Sequence, residues 1–495
     1  MNDGSQKKII PSNNQEVTIV KTDANSKDGQ TKCPKCGATD ISTDINKGKL
    51  RCNFCQYVFD NQKIEGMSEN ISTLSGQVVA SGANDINKNA PSIVTLKCES
   101  CGAEVVVDTT SSTQARCHWC RNMLSINKQI PNGAVPDVVL PFQITKDDAR
   151  TSIENFVGKR KFYAHPTFKK EFTTENIMGV YFPYMIIDVN SHVHLIGEGE
   201  HKVRQYTVKE GDHYHTYYDA DLYSVEREFD LVINGLTVES NADRLDRSSK
   251  DKTNNIINSI MPFDIDNCVK YNSNFLQGFT SEKRDVNIDD LKVLVNSQSK
   301  DVARFSANET LSLYDRGVRW DTEELQVKGS QWKSAYLPVW LYSYQQVKKN
   351  GSVLHYVAVN ARTKETMGSV PIHMPKLLIV SFLVELLGFF LMILADDFDY
   401  RYIFLLSGII YYIVIYARYR NQGARHYHEK ETKREMTNIQ QKDTYLRRKN
   451  HLSNSRMTGA NNNSIGVNSS GNSVLKDLAN KVTDIQNSIN EDGKK

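Results

Sequence analysis

The sequence lacks the short motifs that mark the common nucleotide-binding and hydrolytic active sites. It contains no GxGxxG, no GxxxxGK[ST], no HExxH and no GxSxG. These motifs encode phosphate-binding turns, a zinc-binding helix and an exposed nucleophile, so none of those sites is expected. We predict that the protein is not an enzyme. An active site built without any such motif is the alternative.

The N-terminus lacks an apolar segment. Residues 1–15, MNDGSQKKIIPSNNQ, contain too few consecutive apolar residues for the core of a secretory signal. We therefore expect the N-terminal part of the chain to stay in the cytoplasm, where cysteines remain reduced. This expectation argues against reading the cysteines as a disulfide framework.

Cysteine is present in an informative pattern. Eight of the nine cysteines form two copies of one spacing, in which two CxxC pairs are separated by fifteen residues. This spacing is typical of a zinc ribbon, in which four thiolates bind one tetrahedral Zn²⁺. The predicted ligands of the two Zn²⁺ ions are Cys33, Cys36, Cys52 and Cys55 in the first ribbon and Cys98, Cys101, Cys117 and Cys120 in the second. Iron, bound as in rubredoxin, is the alternative metal.

A strong net charge of either sign is also missing. The formal net charge is +3, and each four-thiolate zinc centre contributes −2, which lowers the total to about −1. Nucleic-acid-binding domains usually carry a basic patch, because phosphate contacts supply most of their affinity. We therefore expect weak nucleic-acid binding at most. Each ribbon either only stabilises the fold or also contacts a partner.

The rest of the chain divides by composition. We predict a multidomain protein with two small β zinc ribbons, a central α+β module with an internal repeat, and a two-helix transmembrane hairpin. In chain order the predicted segments are a disordered N-terminus at 1–30, zinc ribbon 1 at 31–60, a flexible linker at 61–94, zinc ribbon 2 at 95–130, the α+β module at 135–372, transmembrane helices at 377–394 and 402–417, a basic cytoplasmic helix at 418–456, a low-complexity spacer at 457–473 and a short amphipathic helix at 474–490.

The central module contains a weak internal repeat. VVLPFQI at 138–144 resembles SIMPFDI at 259–265, and GVYFPYMIIDV at 179–189 resembles SAYLPVWLYSY at 334–344. Apolar alternation around each Tyr-x-Pro predicts strands, and helix-like spacing between the two motifs predicts a helix in each half. We expect two related halves, each with a short strand, a helix and a strand that opens a hairpin.

Four histidines occur in His-x-His pairs, at His192 and His194 and at His213 and His215. On a strand the two members of a pair share a face and could bind a metal. No cysteine or paired carboxylate completes a site in the nearby sequence, so we interpret them as histidines of a solvated hairpin. Cys268, the ninth cysteine, is predicted to be a small buried residue.

Two apolar stretches lie close together towards the C-terminus. As helices, 377–394 and 402–417 would be about 27 and 24 Å long, close to the hydrocarbon thickness of a bilayer. Positive charge flanks them at Lys376 and Arg418, whereas the connecting segment contains three aspartates. We therefore expect a multi-pass cell-membrane protein with both termini in the cytoplasm. Two buried helices of a soluble core are the alternative.

Glu385 lies near the middle of the first predicted transmembrane helix. An ionised side chain at that depth is costly unless it is paired. We expect a hydrogen bond across the hairpin to Ser407 or Tyr411, or to a second copy of the protein in a homo-oligomer.

The predicted C-terminal tail is basic next to the membrane. Residues 418–456 hold eleven Lys or Arg against four Asp or Glu. This excess of positive charge favours contact with anionic lipid. Further on, apolar residues at helical spacing in 474–490 indicate a helix that docks on a partner.

The sequence resembles the bacterial membrane proteins described as TFIIB-type zinc-ribbon-containing, in LKCESCGAEVV, ARCHWC, VLPFQI, GVYFPY, AYLPVW and ETMGSVPI. The resemblance covers about residues 95–425. Members often carry one ribbon before the module, so the ribbon at 31–60 departs from the family pattern. The resemblance implies a scaffold more than an enzyme, because some relatives resemble membrane components of envelope-stress systems that recruit phage-shock-protein-A-like partners.

The functional prediction is a non-enzymatic, zinc-binding integral membrane scaffold. Its cytoplasmic module would bind a protein of the cytoplasm or the membrane, in an envelope-stress or other membrane-associated complex. The alternative is a membrane-tethered zinc-ribbon factor that binds nucleic acid in replication or transcription. A third class, an envelope enzyme or transporter subunit, would use Glu385 or the histidine pairs.

Overall fold

A computed structural model describes the chain over residues 17–20, 33–38, 40–44, 49–60, 64, 67–84, 93–108, 115–124, 129–130, 136–158, 160, 162–166, 168, 174–211, 213–241, 258–271, 273–276, 278–284, 286–348, 351–394, 401–420 and 426–452. The chain forms two units. The first contains Met1–Arg247, Asn255–Pro371 and Gly423–Asn461, and the second contains Ser248–Asn254, Ile372–Gln422 and Asn462–Lys495. The predicted spacer and the short amphipathic helix lie outside the described residues.

Strands dominate the first unit. They are β1 Val17–Val20, β2 Ile41–Asp44, β3 Lys49–Cys52, β4 Val58–Phe59, β5 Gly76–Ala80, β6 Ile93–Lys97, β7 Glu104–Asp108, β8 Gln129–Ile130, β9 Val138–Val139, β10 Ile177–Glu210, β11 His213–Glu239, β12 Val269–Lys270, β13 Thr280–Glu282, β14 Gly317–Lys348, β15 Gly351–Asn360, β16 Thr366–Gly368 and β17 Lys433–Leu452. The described helices of both units are α1 Ser81–Asn84, α2 Lys146–Gly158, α3 Ile288–Ala307, α4 Met374–Leu394, α5 Ser407–Arg420 and α6 His428–Glu431.

Four of these strands are far longer than the five or six residues that are usual. They are β10 with 34 residues, β14 with 32, β11 with 27 and β17 with 20. β10 pairs antiparallel with β14 on one side and with β11 on the other, and β17 continues the sheet beyond β11. At about 3.3 Å per residue, β10 is roughly 110 Å long. Within the described ranges, the mixed sheet to which these strands belong has fourteen strands.

The two Tyr-x-Pro motifs face each other at the centre of this sheet. Phe182 is paired with Leu337, so the middle residues of YFP and YLP are direct partners. Both side chains are fully buried and share one core cluster with Val180 and Val339. The pairing relates the two halves of the module by an approximate twofold axis through this residue pair.

The short strand of each half pairs with one of the long strands. β9 runs parallel to β14 at Ala335–Tyr336, and β13 runs parallel to β10 at Val180–Tyr181. A helix follows each one: α2 begins at 146, eight residues after β9 begins at 138, and α3 begins at 288, eight residues after β13 begins at 280. The structural counterpart of 138–144 is therefore the segment that starts at 280, and the alignment with 259–265 is wrong.

The two Pro-Phe segments share a location in the structure. Both lie against the turn that follows β15. The Asn360 amide donates to the carbonyl oxygens of Ile260 (2.9 Å) and Pro262 (3.0 Å). The Arg362 guanidinium donates to the Pro141 carbonyl oxygen at 3.3 Å. Both segments therefore supply backbone carbonyl oxygens to side-chain donors at the end of β15 and in the turn after it.

The prediction of a flexible linker over 61–94 is wrong for part of that range. β5 pairs parallel with β14 at 329–332, and α1 follows it directly. Val79 and Ala80 are buried. β1, within the predicted disordered N-terminus at 1–30, pairs with β5 in turn. A five-residue segment, GQVVA, with three apolar residues at its end is enough for an added strand when a partner edge exists, and the sequence alone does not reveal that edge.

The prediction of a basic cytoplasmic helix over 418–456 is also wrong. α5 continues to Arg420, and 433–452 form strand β17. β11 and this strand pair residues of opposite charge, with a carboxylate from either strand. Lys442 pairs with Glu226 at 3.2 Å, and Arg227 pairs with Asp443 at 2.5 Å. These ion pairs across the strands favour the extended form, whereas a solvated helix would leave the charges to water.

The second unit contains the apolar segments. α4 is the one helix in the described part of the chain that is long and apolar enough to cross a membrane. The second predicted helix is divided into a 3-10 helix, Arg401–Leu406, and the shorter α5. The amide of Gly408, near the start of α5, donates to Glu385 Oε2 at 2.7 Å. Glu385 therefore accepts a hydrogen bond from the backbone beside Ser407, whereas the Ser407 hydroxyl itself donates to the Val384 carbonyl oxygen at 3.1 Å.

Candidate metal centres

The first tetrad is formed by two knuckle turns. The amide of Gly37 donates to the Cys33 carbonyl oxygen at 2.8 Å, and the amide of Gln56 donates to that of Cys52 at 2.9 Å. Each turn needs a residue with positive φ, which is +75° at Gly37 and +62° at Gln56. Glycine adopts this conformation without strain, whereas glutamine does so at a small cost. The turns join a three-stranded antiparallel sheet of β2, β3 and β4.

The second tetrad repeats the same construction. The Gly102 amide donates to the Cys98 carbonyl oxygen at 2.9 Å, and the Arg121 amide donates to that of Cys117 at 2.8 Å. The φ values are +78° at Gly102 and +66° at Arg121. In each tetrad, therefore, glycine makes the first knuckle turn and a longer side chain makes the second.

The sulfur positions suit one metal ion in each tetrad. All four Sγ atoms of a tetrad lie within 4.8 Å of one another. The shortest Sγ–Sγ distances are 3.6 Å for Cys33–Cys55 and for Cys36–Cys52, 3.4 Å for Cys98–Cys120 and 3.6 Å for Cys101–Cys117. A disulfide would need about 2.0 Å, whereas a tetrahedron with metal–sulfur bonds of about 2.3 Å has sulfurs about 3.8 Å apart. The eight predicted ligands are thus brought together as two sets of four.

The environment of the second tetrad changes the pKa values of its thiols. The hydrogen bond from Cys117 lowers the pKa of the Cys101 thiol to about 5, although burial opposes this. The same hydrogen bond, followed by burial, raises the pKa of Cys117. One thiolate therefore forms readily while its neighbour holds a proton. A bound divalent ion displaces that proton, because thiolates are the metal ligands.

The prediction treated the second ribbon as a small independent unit. In the structure it is instead part of the large sheet. Its strand β7 pairs with β13 of the large sheet. Trp119, between its last two cysteines, is 8% exposed, and its Nε1 donates to Glu282 Oε1 at 2.7 Å. The ring packs edge-on against Phe182 (6.1 Å) and Tyr356 (5.0 Å). His118, fully buried, contacts Thr280 at 3.2 Å. The ribbon is therefore fixed to the centre of the module.

In the first ribbon, the aromatic residue at the position of Trp119 is exposed to solvent. Phe54 corresponds to Trp119 in the knuckle and is 79% exposed. Lys35 lies over the ring of Tyr57, with 5.7 Å between Nζ and the ring centroid. On its other side the ribbon buries Ile41 and Leu50 in a cluster that contains Phe275 and Leu276. The two ribbons thus share a metal-site geometry and differ in which surface they bury.

The histidine pairs have carboxylate partners that sequence proximity does not show. His192 Nδ1 lies 2.9 Å from Asp230 Oδ1, and Nε2 lies 3.2 Å from Glu228 Oε1. His194 Nε2 lies 3.0 Å from Glu226 Oε1. The partners come from β11, more than thirty residues away. Prediction of the β10–β11 hairpin with its correct register would have identified these carboxylate partners from the sequence.

The remaining candidates are less informative. His215 is on β11 and partly buried, and the side chain of His213 lies outside the described residues. Cys268 is also partly buried, and burial raises the pKa of its thiol to about 12. A thiol with that pKa stays protonated and unreactive at neutral pH.

Comparisons with known protein families, with curated proteins and with solved structures find no match. What the chain itself defines is a class: a mixed β-sheet protein with two four-cysteine groups suited to metal ions and one helix, among the described residues, that is apolar enough to cross a membrane.

Proposed function

We propose that the protein is a non-enzymatic membrane scaffold whose two cysteine tetrads each bind one Zn²⁺. The tetrads support the metal part of the proposal, because their sulfur distances and knuckle turns fit tetrahedral thiolate coordination. The four thiolates of the second tetrad would hold a ribbon that belongs to the central sheet. Zinc at that point stabilises the surface that the scaffold presents.

The observation that carries the scaffold proposal is the position of β17. In the described part of the chain this strand pairs with β11 on one side and with no strand on the other. Three apolar side chains are exposed along it: Ile439 (40%), Tyr445 (55%) and Leu446 (50%). A long strand with a free edge offers backbone N–H and C=O groups to a strand of another protein. We infer that a protein partner binds along this edge.

The partner class follows from the resemblance and from the charge of the strand. The likeness to TFIIB-type zinc-ribbon membrane proteins favours a phage-shock-protein-A-like partner of an envelope-stress system. β17 is basic, with Lys433, Arg434, Lys442, Arg447 and Arg448 along its length. These residues would favour an acidic partner strand or anionic lipid. A membrane-tethered nucleic-acid-binding factor is the alternative function.

Substitution of the exposed apolar residues on β17 tests the scaffold proposal. We expect Ile439→Asp combined with Leu446→Asp to remove roughly nine-tenths or more of the partner recovered from membranes in mild detergent, because the contact surface becomes charged. The measurement is quantitative mass spectrometry of co-purified proteins, followed by reciprocal capture with the identified partner.

The matched control for this experiment is Val293→Asp. Val293 is 75% exposed on α3, outside β17, and its substitution should leave the recovery unchanged. Equal recovery by all three proteins would refute binding along β17. Recovery of DNA or RNA with no protein, lost steeply as salt rises, would favour the nucleic-acid alternative.

We further propose that the second unit spans the membrane twice. The 3-10 helix of six residues and α5 of fourteen together extend about 33 Å, close to the hydrocarbon thickness. The junction between them is at Ser407, and there the Gly408 amide donates to Glu385. An amide without a hydrogen bond at that depth would cost roughly several kcal/mol. Glu385 therefore stabilises the second span by accepting a hydrogen bond from the Gly408 amide.

The topology has a direct test. A cysteine that replaces Asp397 should react with a membrane-impermeant maleimide in intact cells, since the segment between the spans is expected outside. A reporter fused after Lys495 should be cytoplasmic. A cysteine that replaces Val293, which is exposed in the first unit, is the internal control and should react only after lysis. Reaction of the Asp397→Cys protein only after lysis would contradict the two-span arrangement.

A further inference from the structure

The long sheet has a second open edge besides that of β17. On one side, β14 pairs with β10 from Gly317 to Tyr342. On its other side the first described partner is β5, whose pairing begins at Gly329. Over residues 318–328, β14 therefore has no strand beside it in the described part of the chain. The backbone N–H and C=O groups along such an edge can pair with a further strand.

The two open edges differ in charge. β17 contains six Lys or Arg and two Asp or Glu among its residues. Residues 318–328 of β14 contain three Asp or Glu and two Lys or Arg. The β17 edge is thus strongly basic, whereas the β14 edge is slightly acidic. A contact between unlike edges is favoured over a contact of β17 with itself, because like charges across an interface repel.

Some of these charges have little compensation within the chain. Among the described residues, Arg447 and Arg448 are exposed on β17 and form no ion pair, and the same holds for Glu324 on β14. Asp321 is 59% exposed and has the equally exposed Arg319 at 3.5 Å. Two adjacent arginines on one edge and two carboxylates on the other are therefore available to a partner from outside the chain.

The strand directions also fit. β10 is antiparallel to both β14 and β11, and β11 is antiparallel to β17. β14 and β17 therefore run in opposite directions. A second copy placed beside the first in the same orientation brings its β14 next to β17. The new pair is then antiparallel, like the other pairs of long strands in the sheet.

Bulges set the length over which the two edges can pair. In the register of β14 with β10, the extra residues are Asp321 and Lys328, which leaves the regular segment 322–327 between them. In the register of β17 with β11, the extra residues are at 438–439 and at Leu446, which leaves the regular segment 440–445. A bulge bends its strand and interrupts the ladder. Each edge therefore offers one regular segment of the same length, about that of an ordinary strand.

We propose that two copies of the chain associate head to tail, with β17 of one copy paired antiparallel with the β14 edge of the other. The inference rests on the open β17 edge that the proposed function also uses. Each copy contributes a different surface, so the interface is heterologous. In such a pair one β17 edge is covered, and the β17 edge of the other copy remains open to a protein of another kind.

Charge reversal on either edge tests the proposal. Asp321→Lys combined with Glu324→Lys places cations opposite the basic edge of the second copy. Arg447→Glu combined with Arg448→Glu places carboxylates opposite the acidic edge. We expect each double variant to self-associate at least about tenfold more weakly than the wild type, because like charges then face each other. The measurement is sedimentation velocity of the full-length protein in mild detergent over a series of concentrations.

A mixture of the two double variants gives the sharper result. The first variant keeps an intact β17 and the second keeps an intact β14 edge. We therefore expect mixed pairs with about the affinity of the wild type, although neither variant associates with itself. An interface formed by one identical surface on both copies would not be restored by mixing. Mixed pairs also show that each variant is folded at the edge that it keeps.

The control is Asp60→Lys combined with Glu154→Lys. It changes the total charge as much as the β14 variant does, at side chains 74% and 47% exposed and outside both edges, and association should be unchanged. A wild type that is monomeric at every concentration, equal association by all proteins, or no mixed pairs would overturn the proposal.

The β14 variant also separates this inference from the proposed function. Its β17 is intact, so it should recover a co-purified protein partner as well as the wild type does. Mixed pairs without any co-purified partner would support the head-to-tail association and refute the scaffold proposal alone.

Discussion

Cys117→Ala is expected to remove one of the two tetrad metal ions and to destabilise the central sheet by several kcal/mol. Cys117 is fully buried in the same apolar cluster as Trp119, Phe182 and Leu337. Structural zinc contributes about 10–16 kcal/mol of apparent binding free energy to small domains. Part of that energy is transmitted to the module, because strands β6 and β7 of this ribbon belong to the large sheet.

The measurements are metal content and thermal unfolding of the full-length protein. Trp119 provides a local signal, since loss of its contact with Glu282 exposes the indole to water. We expect a tryptophan emission shift to longer wavelength and a midpoint lower by at least about 5 °C. Chelation of the wild type should reproduce both changes. Iron in the purified wild type would overturn the assignment of zinc, and an unchanged midpoint would refute the structural role of the second tetrad.

Cys52→Ala is the matched control for this variant. Cys52 is equally buried and occupies the corresponding position in the first ribbon. It should also lose one metal ion, but its sheet of β2, β3 and β4 pairs with no described strand of the module. The tryptophan emission should therefore stay close to that of the wild type. A larger loss of stability here than in Cys117→Ala would contradict the different attachment of the two ribbons.

The tetrads could be predicted because their information is local. A CxxC pair fixes two sulfurs within one turn, and the fifteen-residue spacing leaves room for one hairpin, so composition and spacing suffice. What surrounds the tetrads could not be predicted in this way. Trp119 and Phe54 occupy the same knuckle position, and only the tertiary partners Phe182 and Tyr356 make one buried and the other exposed.

The long sheet shows the same limit on a larger scale. The Tyr-x-Pro motifs predicted two strands correctly, because apolar alternation is a local property. Their direct pairing at Phe182 and Leu337 depends on contacts across 155 residues of chain. The tail was mistaken for a helix because its charges are compatible with either form. The acidic strand that pairs with it lies more than two hundred residues earlier, at Glu226.

The attachment of β17 leads to the second prediction with a large effect. Arg227 is 1% exposed, and its guanidinium binds Asp443 through two hydrogen bonds of 2.5 and 3.1 Å. The same guanidinium also donates to the Thr310 hydroxyl at 2.9 Å. Asp443 is the only carboxylate on β17 paired with a buried cation among the described residues. The pair therefore attaches β17 to β11 through a buried arginine, whereas an ion pair such as Lys442–Glu226 is more exposed.

Asp443→Ala is expected to destabilise the attachment of β17 by about 3 kcal/mol. Removal of one partner of a buried pair costs about 3–5 kcal/mol because it leaves an uncompensated charge, and the lower end applies here since Asp443 is 28% exposed. Hydrogen exchange of the β17 amides measures the effect and should become roughly a hundredfold faster or more. Lys442→Ala is the control, because its pair with Glu226 is exposed and contributes about 0–1 kcal/mol. Similar exchange in both variants would mean that backbone pairing alone holds the strand, and the ion pairs would then not explain why this segment is extended.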